Sequence, residues 1–222
     1  MIAIAIDGPA GAGKSTIARA VAKELNYIYV DTGALYRTVG LKFSREGADT
    51  TLKCDIEEIL KDTNVDIAFV GDEQHVFLNG EDVSDKIRTP EASMMASAVS
   101  AVPVVRAFLL DLQRKMAREN NVIMDGRDIG TVILPNAQVK IFLTASPEER
   151  ARRRFVELTE KGMETTFEEV LSDMKVRDYN DSHREIAPLK PAEDSTIVDT
   201  TGLTLEESKA AILEVVKNKV GA

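Results

Sequence analysis

At 222 residues, with 44% hydrophobic and 29% charged side chains, the chain has the balance of one globular domain with room for a small inserted unit. Its formal charge of −9 argues against broad nucleic-acid binding, and one cysteine (Cys54) with two scattered histidines (His75 and His183) excludes a disulfide framework and a metal cluster built on them. There is no basic leader and no apolar run of membrane-spanning length, so a cytoplasmic monomer with no membrane or nucleic-acid partner is expected, Cys54 being an ordinary reduced thiol.

In chain order, residues 2–6 (IAIAI) are apolar and lead straight into a glycine-rich turn, which reads as a strand buried on both faces. A helix follows over 14–25, a strand over 27–30, and a helix over 35–45 that ends before Gly47. Residues 56–60 form a brief helix. Val65, Ile67 and Phe69 then alternate with polar or small residues, Gly71-Asp72 turns the chain, and 76–78 resume a strand with the hairpin signal Asn79-Gly80 behind it. This antiparallel β-unit, approximately residues 63–85, reads as an insertion, with His75 on its surface. Thr89-Pro90 caps a helix to about residue 101, and Pro103 opens another over 104–119. Strands are expected at 122–125, 139–143 and 196–198, and a last helix at 205–220. Capping-box spacing recurs at Ser146 with Glu149, Thr166 with Glu169, and Thr204 with Glu207. Alternating strands and helices imply an α/β fold of three layers around a parallel central sheet.

The motif Gly8-Pro9-Ala10-Gly11-Ala12-Gly13-Lys14-Ser15 matches G-x-x-x-x-G-K-[ST], with a strand before it and a helix after it. Small residues let backbone N–H groups curl around a phosphate, and the helix start adds its positive dipole end. Lys14 reaches the β- and γ-oxygens, the Ser15 hydroxyl is a Mg2+ ligand, and Thr16 is a further α-phosphate contact. A nucleoside triphosphate site follows; the acceptor does not.

A kinase for a small anionic acceptor needs cations opposite the transferring phosphate, and arginine grips phosphate oxygens in pairs. Thr32 and Gly33 open a helix with Tyr36 and Arg37 on its first turns; this reads either as an acceptor site or as a helix cap with a surface arginine. Asp125-Gly126-Arg127-Asp128 follows a strand. Asp125 lies where an acid orients a metal-bound water, Arg127 suits an acceptor phosphate, and Asp128 suits an exocyclic amine. Arg177, Asp181 and Arg184 fall at i, i+4 and i+7, one helix face, which is either a site or an exposed ion-pair ladder, with His183 off that face at the surface. Arg150, Arg152, Arg153 and Arg154 crowd one segment of an acidic protein. They read as a closing lid over approximately 149–165, or as a charged face balanced by Glu148, Glu149 and Glu157.

The segments IDGPAGAGKST, DTGALYR, LNGEDVSDKIRTPE, DGRDIGT, VKIFLTASPEERARRR and RDYNDSHREIAPL together resemble the bacterial cytidylate kinases, over essentially the whole chain. The resemblance implies a P-loop kinase core (1–62, 86–148 and 166–222), an inserted nucleoside-monophosphate-binding β-unit and a short lid. It implies ATP with Mg2+ as donor and CMP or dCMP as acceptor, giving ADP and CDP or dCDP. It implies that Ser97, Arg106 and Asp128 read the cytosine edge and that Arg37, Arg127 and Arg184 hold the acceptor phosphate. It further implies that Arg177 and Asp181 contact the pentose, with Arg177 also near phosphate, and that Arg153 contacts the γ-phosphate. The family often carries serine where this chain has Thr32, which keeps the hydroxyl and adds a methyl. An aspartate acceptor, an arginine donor and a serine satisfy the cytosine edge, whereas uracil would set its O4 against Asp128, so UMP is expected to be a poor substrate.

Other readings are a kinase for another small molecule, such as an adenylate, shikimate or dephospho-coenzyme A kinase, a GTPase-like switch, or a nucleic-acid-dependent ATPase. The switch requires N-K-x-D, which neither Asn180-Asp181 nor Asn218-Lys219-Val220-Gly221 supplies.

Overall fold

Strict alternation along β1 (Ala3–Asp7) sends Ala3 and Ala5 to one side of a sheet and Ile4 and Ile6 to the other. Both sides are covered, so the strand is buried along its length, as its unbroken apolar run requires. The computed structural model describes residues 1–48, 53–71 and 73–221. The side chain of Cys54 and the whole of Asp72 lie outside the described part, and with them the expected thiol and the second half of the Gly71-Asp72 turn.

β1 pairs in parallel with β6 (Val122–Gly126) and β7 (Val139–Thr144), flanked in turn by β2 (Ile28–Asp31) and β8 (Thr196–Asp199). The order is β2-β6-β1-β7-β8, all parallel. On the isoleucine side pack α1 (Lys14–Leu25) and α8 (Leu205–Val220), through Ile17, Val21, Ile212 and Val216. On the alanine side a π-helical turn (Ile129–Ile133) meets Val30 and Met124. Each fully buried isoleucine contributes about 2–3 kcal/mol relative to exposure, which orients the sheet in the middle layer.

The small sheet is antiparallel, β3 (Val65–Val70), β4 (Glu73–Leu78) and β5 (Glu81–Asp82) in that order. Asn79 (φ 50°) and Gly80 (φ 84°) form a two-residue turn that sets Leu78 opposite Glu81. His75 pairs with Asp82 at 2.7 Å on this sheet. Val65, Val76, Leu78 and Val83 bury against α2 (Thr32–Arg45) and α5 (Pro103–Glu119), so the insertion shares a core with the helices that carry Arg37 and Arg106. α4 (Pro90–Ser100) lies tightly on α2, where a Cβ on Gly40 would come within 2.9 Å of the Met95 Cβ. α3 (Lys53–Lys61) completes this side.

Several boundaries differ from the sequence reading for local reasons. α2 opens at Thr32 because the Asp31 carboxylate accepts the Ala34 N–H at 2.9 Å. α6 (Pro147–Glu160) has only half its expected capping box. Ser146 accepts from the Glu149 N–H, but the Glu149 carboxylate is taken by Arg152 and Arg153. The boxes at Thr166 and Thr204 are complete. α7 (Phe167–His183) stops one residue before Arg184, whose backbone is extended (φ −65°, ψ 143°). Arg184 therefore does not share a helix face with Arg177 and Asp181. No single described helix is long and apolar enough to cross a membrane.

Candidate active site

The parallel register lines up three carboxylates at the strand ends. Asp31 of β2 stands opposite Asp125 of β6, and Asp7 of β1 stands opposite Gly126. Asp125 accepts from the Tyr29 hydroxyl and from the Ser15 hydroxyl, each at 2.9 Å. Burial, with the charge of Asp31 beside it, raises the Asp125 carboxyl to about 6. Asp7 is also pushed to about 6 by burial, although it accepts the N–H groups of Ile129 (2.7 Å) and Gly130 (2.8 Å). Those two bonds fasten the turn that carries Arg127 and Asp128.

The phosphate loop is held by close approach. A Cβ on Gly8 would overlap the carbonyl oxygen of Leu143, and Gly13 (φ 86°) is the left-handed N-cap that starts α1. The Arg150 guanidinium donates to the Ala10 carbonyl at 3.0 Å and to both oxygens of Asp178 at 3.1 and 2.7 Å, tying the loop to α6 and α7. Lys14 is buried and folded onto the loop, its Nζ donating to the Pro9 carbonyl at 2.7 Å. Burial, then the positive charge of Arg127, holds its pKa well below the ordinary lysine value. A cation so placed is stabilised by an arriving anion. Thr16 is exposed on the first turn of α1.

On the other side of Lys14 the arginines converge. Arg127 Nε donates to Asp181 at 2.8 Å, and Arg177 feels the charges of Arg127, Asp181 and Arg37. Burial, then Arg127, lowers Arg177 to about 10. Arg37 donates to Asp31 at 2.9 Å. Deeper, Asp128 (3% exposed) is paired with Arg106 through Oδ2, while its Oδ1 lies 3.7 Å from Arg184 Nη2. Arg106 also sits 5.7 Å from the Tyr36 ring centroid. Arg37 Nε, Arg177 Nε and Arg184 Nη2 are buried donors with no hydrogen-bond partner. Unsatisfied guanidinium nitrogens from three separate positions, linked electrostatically to Lys14 through Arg177 and Asp181, are what a phosphate-bearing ligand would satisfy. The half-buried Arg177 is no member of an exposed ion-pair ladder.

Several expected residues are engaged by the protein itself. Thr32 donates its hydroxyl to the Asp125 carbonyl at 2.7 Å and is buried, so it anchors β6 rather than opening onto the cluster. Gly33 packs under Arg37 and Asp31. Arg153 donates to Thr200 and Glu149, its Nη1 being 3.8 Å from where a Cβ of Gly13 would lie, so it flanks the loop from the β8 side. Arg154 is paired with Glu157. Ser97 is half-buried on α4. His183 is exposed and stacks on Tyr179, with ring centroids 4.0 Å apart.

Tyr29, Asp7 and Gln74 were not legible as site residues, and Arg150 was read as a lid arginine rather than as the tie between the loop and α7. Gln74, on the insertion, accepts the Asp31 N–H at 2.9 Å and so latches β4 to the end of β2. The only signal in the chain was position, an acid or tyrosine next to a strand end, and its meaning depended on strand order.

Comparison with known proteins agrees with this geometry. The family model described as cytidylate kinase matches residues 4–218. A cytidylate kinase of Caldicellulosiruptor bescii is 52% identical over 99% of each chain, and one of Carboxydothermus hydrogenoformans is 52% identical over 97% of each. An uncharacterized protein of Eubacterium ventriosum, 14% identical, shares the fold with a TM-score of 0.54 over 98% of each chain. A glycine loop facing a cluster of unsatisfied arginines, in a chain half identical to these relatives along its whole length, belongs to the cytidylate kinase family.

Proposed function

We propose that the chain transfers the γ-phosphoryl group of ATP to CMP or dCMP, giving ADP and CDP or dCDP. The observation that carries this is that the charges of Arg127 and Arg177 reach the buried Lys14 of the phosphate loop, while buried guanidinium nitrogens of Arg37, Arg177 and Arg184 lack a hydrogen-bond partner, Arg184 standing beside Asp128. Backbone N–H groups of residues 10–16 hold the donor triphosphate, and the helix start of α1 adds favourable dipole charge. Arg37, Arg127 and Arg184 hold the acceptor phosphate, and Arg177 with Asp181 holds the pentose. Ser97, Arg106 and Asp128 read the base.

The chain's own residues suit Mg2+. The Ser15 hydroxyl and the Asp125 carboxylate lie 2.9 Å apart, a hard-oxygen pair beside the loop that would hold the ion. Bound there, Mg2+ neutralises charge on the β- and γ-oxygens. No group of three or more His, Cys, Asp or Glu among the described residues forms a separate metal cage.

The acceptor phosphate oxygen attacks the γ-phosphorus in line, and a phosphate monoester is already largely ionised at neutral pH, so no general base is needed. Lys14, Arg127 and Arg177 spread positive charge over the transferring group. The lid, approximately residues 149–165 with Arg153, and the insertion, approximately 63–85, close over the ligands and exclude water. A coupled assay of ATP with CMP, dCMP, UMP and AMP tests this. Turnover concentrated on CMP and dCMP is expected; equal kcat/KM for UMP would remove the role of Asp128.

A further inference from the structure

Arg37 borders a second recess besides the acceptor cluster. A cleft of about 50 Å3, open to solvent, lies between α1, the end of β2 and the insertion. Arg19, Arg37 and Arg88 line it, and Asp31 is the one acid among the lining residues. Both Asp31 oxygens are already engaged, one by the Ala34 N–H and one by Arg37. Arg19 and Arg88 have no carboxylate partner among the described residues. The Arg19 guanidinium lies 5.4 Å from the Tyr29 ring centroid, which holds its charge at the wall of the cleft. Three guanidinia around one occupied carboxylate, in a chain of net charge −9, leave a local excess of positive charge.

We propose that this cleft is a second oxyanion site, where Arg19 and Arg88 grip a free ion of the inorganic phosphate type and Arg37 is shared with the acceptor pocket. The ligand is a free ion rather than a nucleotide because the Tyr29 ring, the one aromatic in the wall, is already covered by Arg19 and offers no face to a base. The coupling to CMP rests on the function proposed above; the binding itself does not. Two anions that share one guanidinium repel each other, so phosphate in the cleft weakens acceptor binding, and the acceptor weakens phosphate by the same factor.

Calorimetric titration of inorganic phosphate into the nucleotide-free full chain reads the site directly. Wild type is expected to bind one phosphate more than Arg19→Ala with Arg88→Ala together, which keeps the sites of the phosphate loop and the acceptor cluster. Each single variant should weaken the cleft site about tenfold, as loss of a hydrogen bond to a charged group does, and Arg88→Lys should recover part of that. In steady-state assays, phosphate should raise the KM for CMP less in the double variant than in wild type, with kcat and phosphate-free KM unchanged. The same isotherm and stoichiometry in the double variant overturn the proposal. If the chain does not phosphorylate CMP at all, the calorimetric result still decides the cleft, and the two failures remain distinct.

Discussion

The donor cradle and the acceptor pocket stand on either side of Lys14 and are built by opposite means. The cradle is contiguous, residues 8–16, and its polar groups already have protein partners: Lys14 with Pro9, Ser15 with Asp125, Ala10 with Arg150. The pocket draws on α2, α5, the turn after β6, α7 and the extended residue beyond it, and it keeps buried guanidinium nitrogens unsatisfied. In the proposed function one side therefore grips phosphate with backbone held by close packing, and the other with side chains held under mutual repulsion. Damage to the first should be felt as fold, and damage to the second as recognition.

The largest effect that would sharpen this contrast is at Gly8. A methyl group there meets the Leu143 carbonyl, which is backbone and cannot give way, so Gly8→Ala is expected to cost about 4 kcal/mol or more. Urea denaturation measures it, and a midpoint close to wild type would show that the cradle is not built on this contact. Next, Lys14→Ala should lower kcat about a thousandfold while the unfolding midpoint holds or rises, because the lysine is buried against like charge. Normal turnover in that variant would refute its role.

Smaller effects belong to the pocket. Asp128→Ala should lower the CMP-to-UMP ratio of kcat/KM about ten- to a hundredfold, by removing the acceptor for the cytosine amine. An unchanged ratio would move base reading elsewhere. Arg177→Met should be the most telling single result. Burial and Arg127 disfavour its charged form, so at neutral pH the folded state bears a penalty that the unfolded chain lacks. The variant is expected to gain about 1 kcal/mol in urea while CMP binding falls, a function bought at the expense of stability. A destabilised variant would mean that the cluster is not under strain.

The fold was largely legible, and for a mechanical reason. A β1 without alternating polarity had to be buried on both faces, and the phosphate motif between strand and helix required a parallel sheet behind it. Asn79-Gly80 announced its hairpin because both residues accept positive φ. Helix ends were less legible. Arg184 looked like part of the α7 face, and only the backbone turn after His183 took it off the helix, leaving it beside Asp128. The Ser146 box failed because nearby arginines competed for Glu149, a contest that spacing does not rank.

By itself the sequence determined the elements, the phosphate loop and the family, since those depend on residues close together in the chain and on local backbone preference. The tertiary structure decided which charges meet. Only strand order β2-β6-β1 sets Tyr29, Asp31 and Asp7 around Asp125, and only packing of α6 and α7 on the loop joins Arg150 to Ala10. Electrostatic interaction depends on distance and burial, and neither is a property of position along the chain.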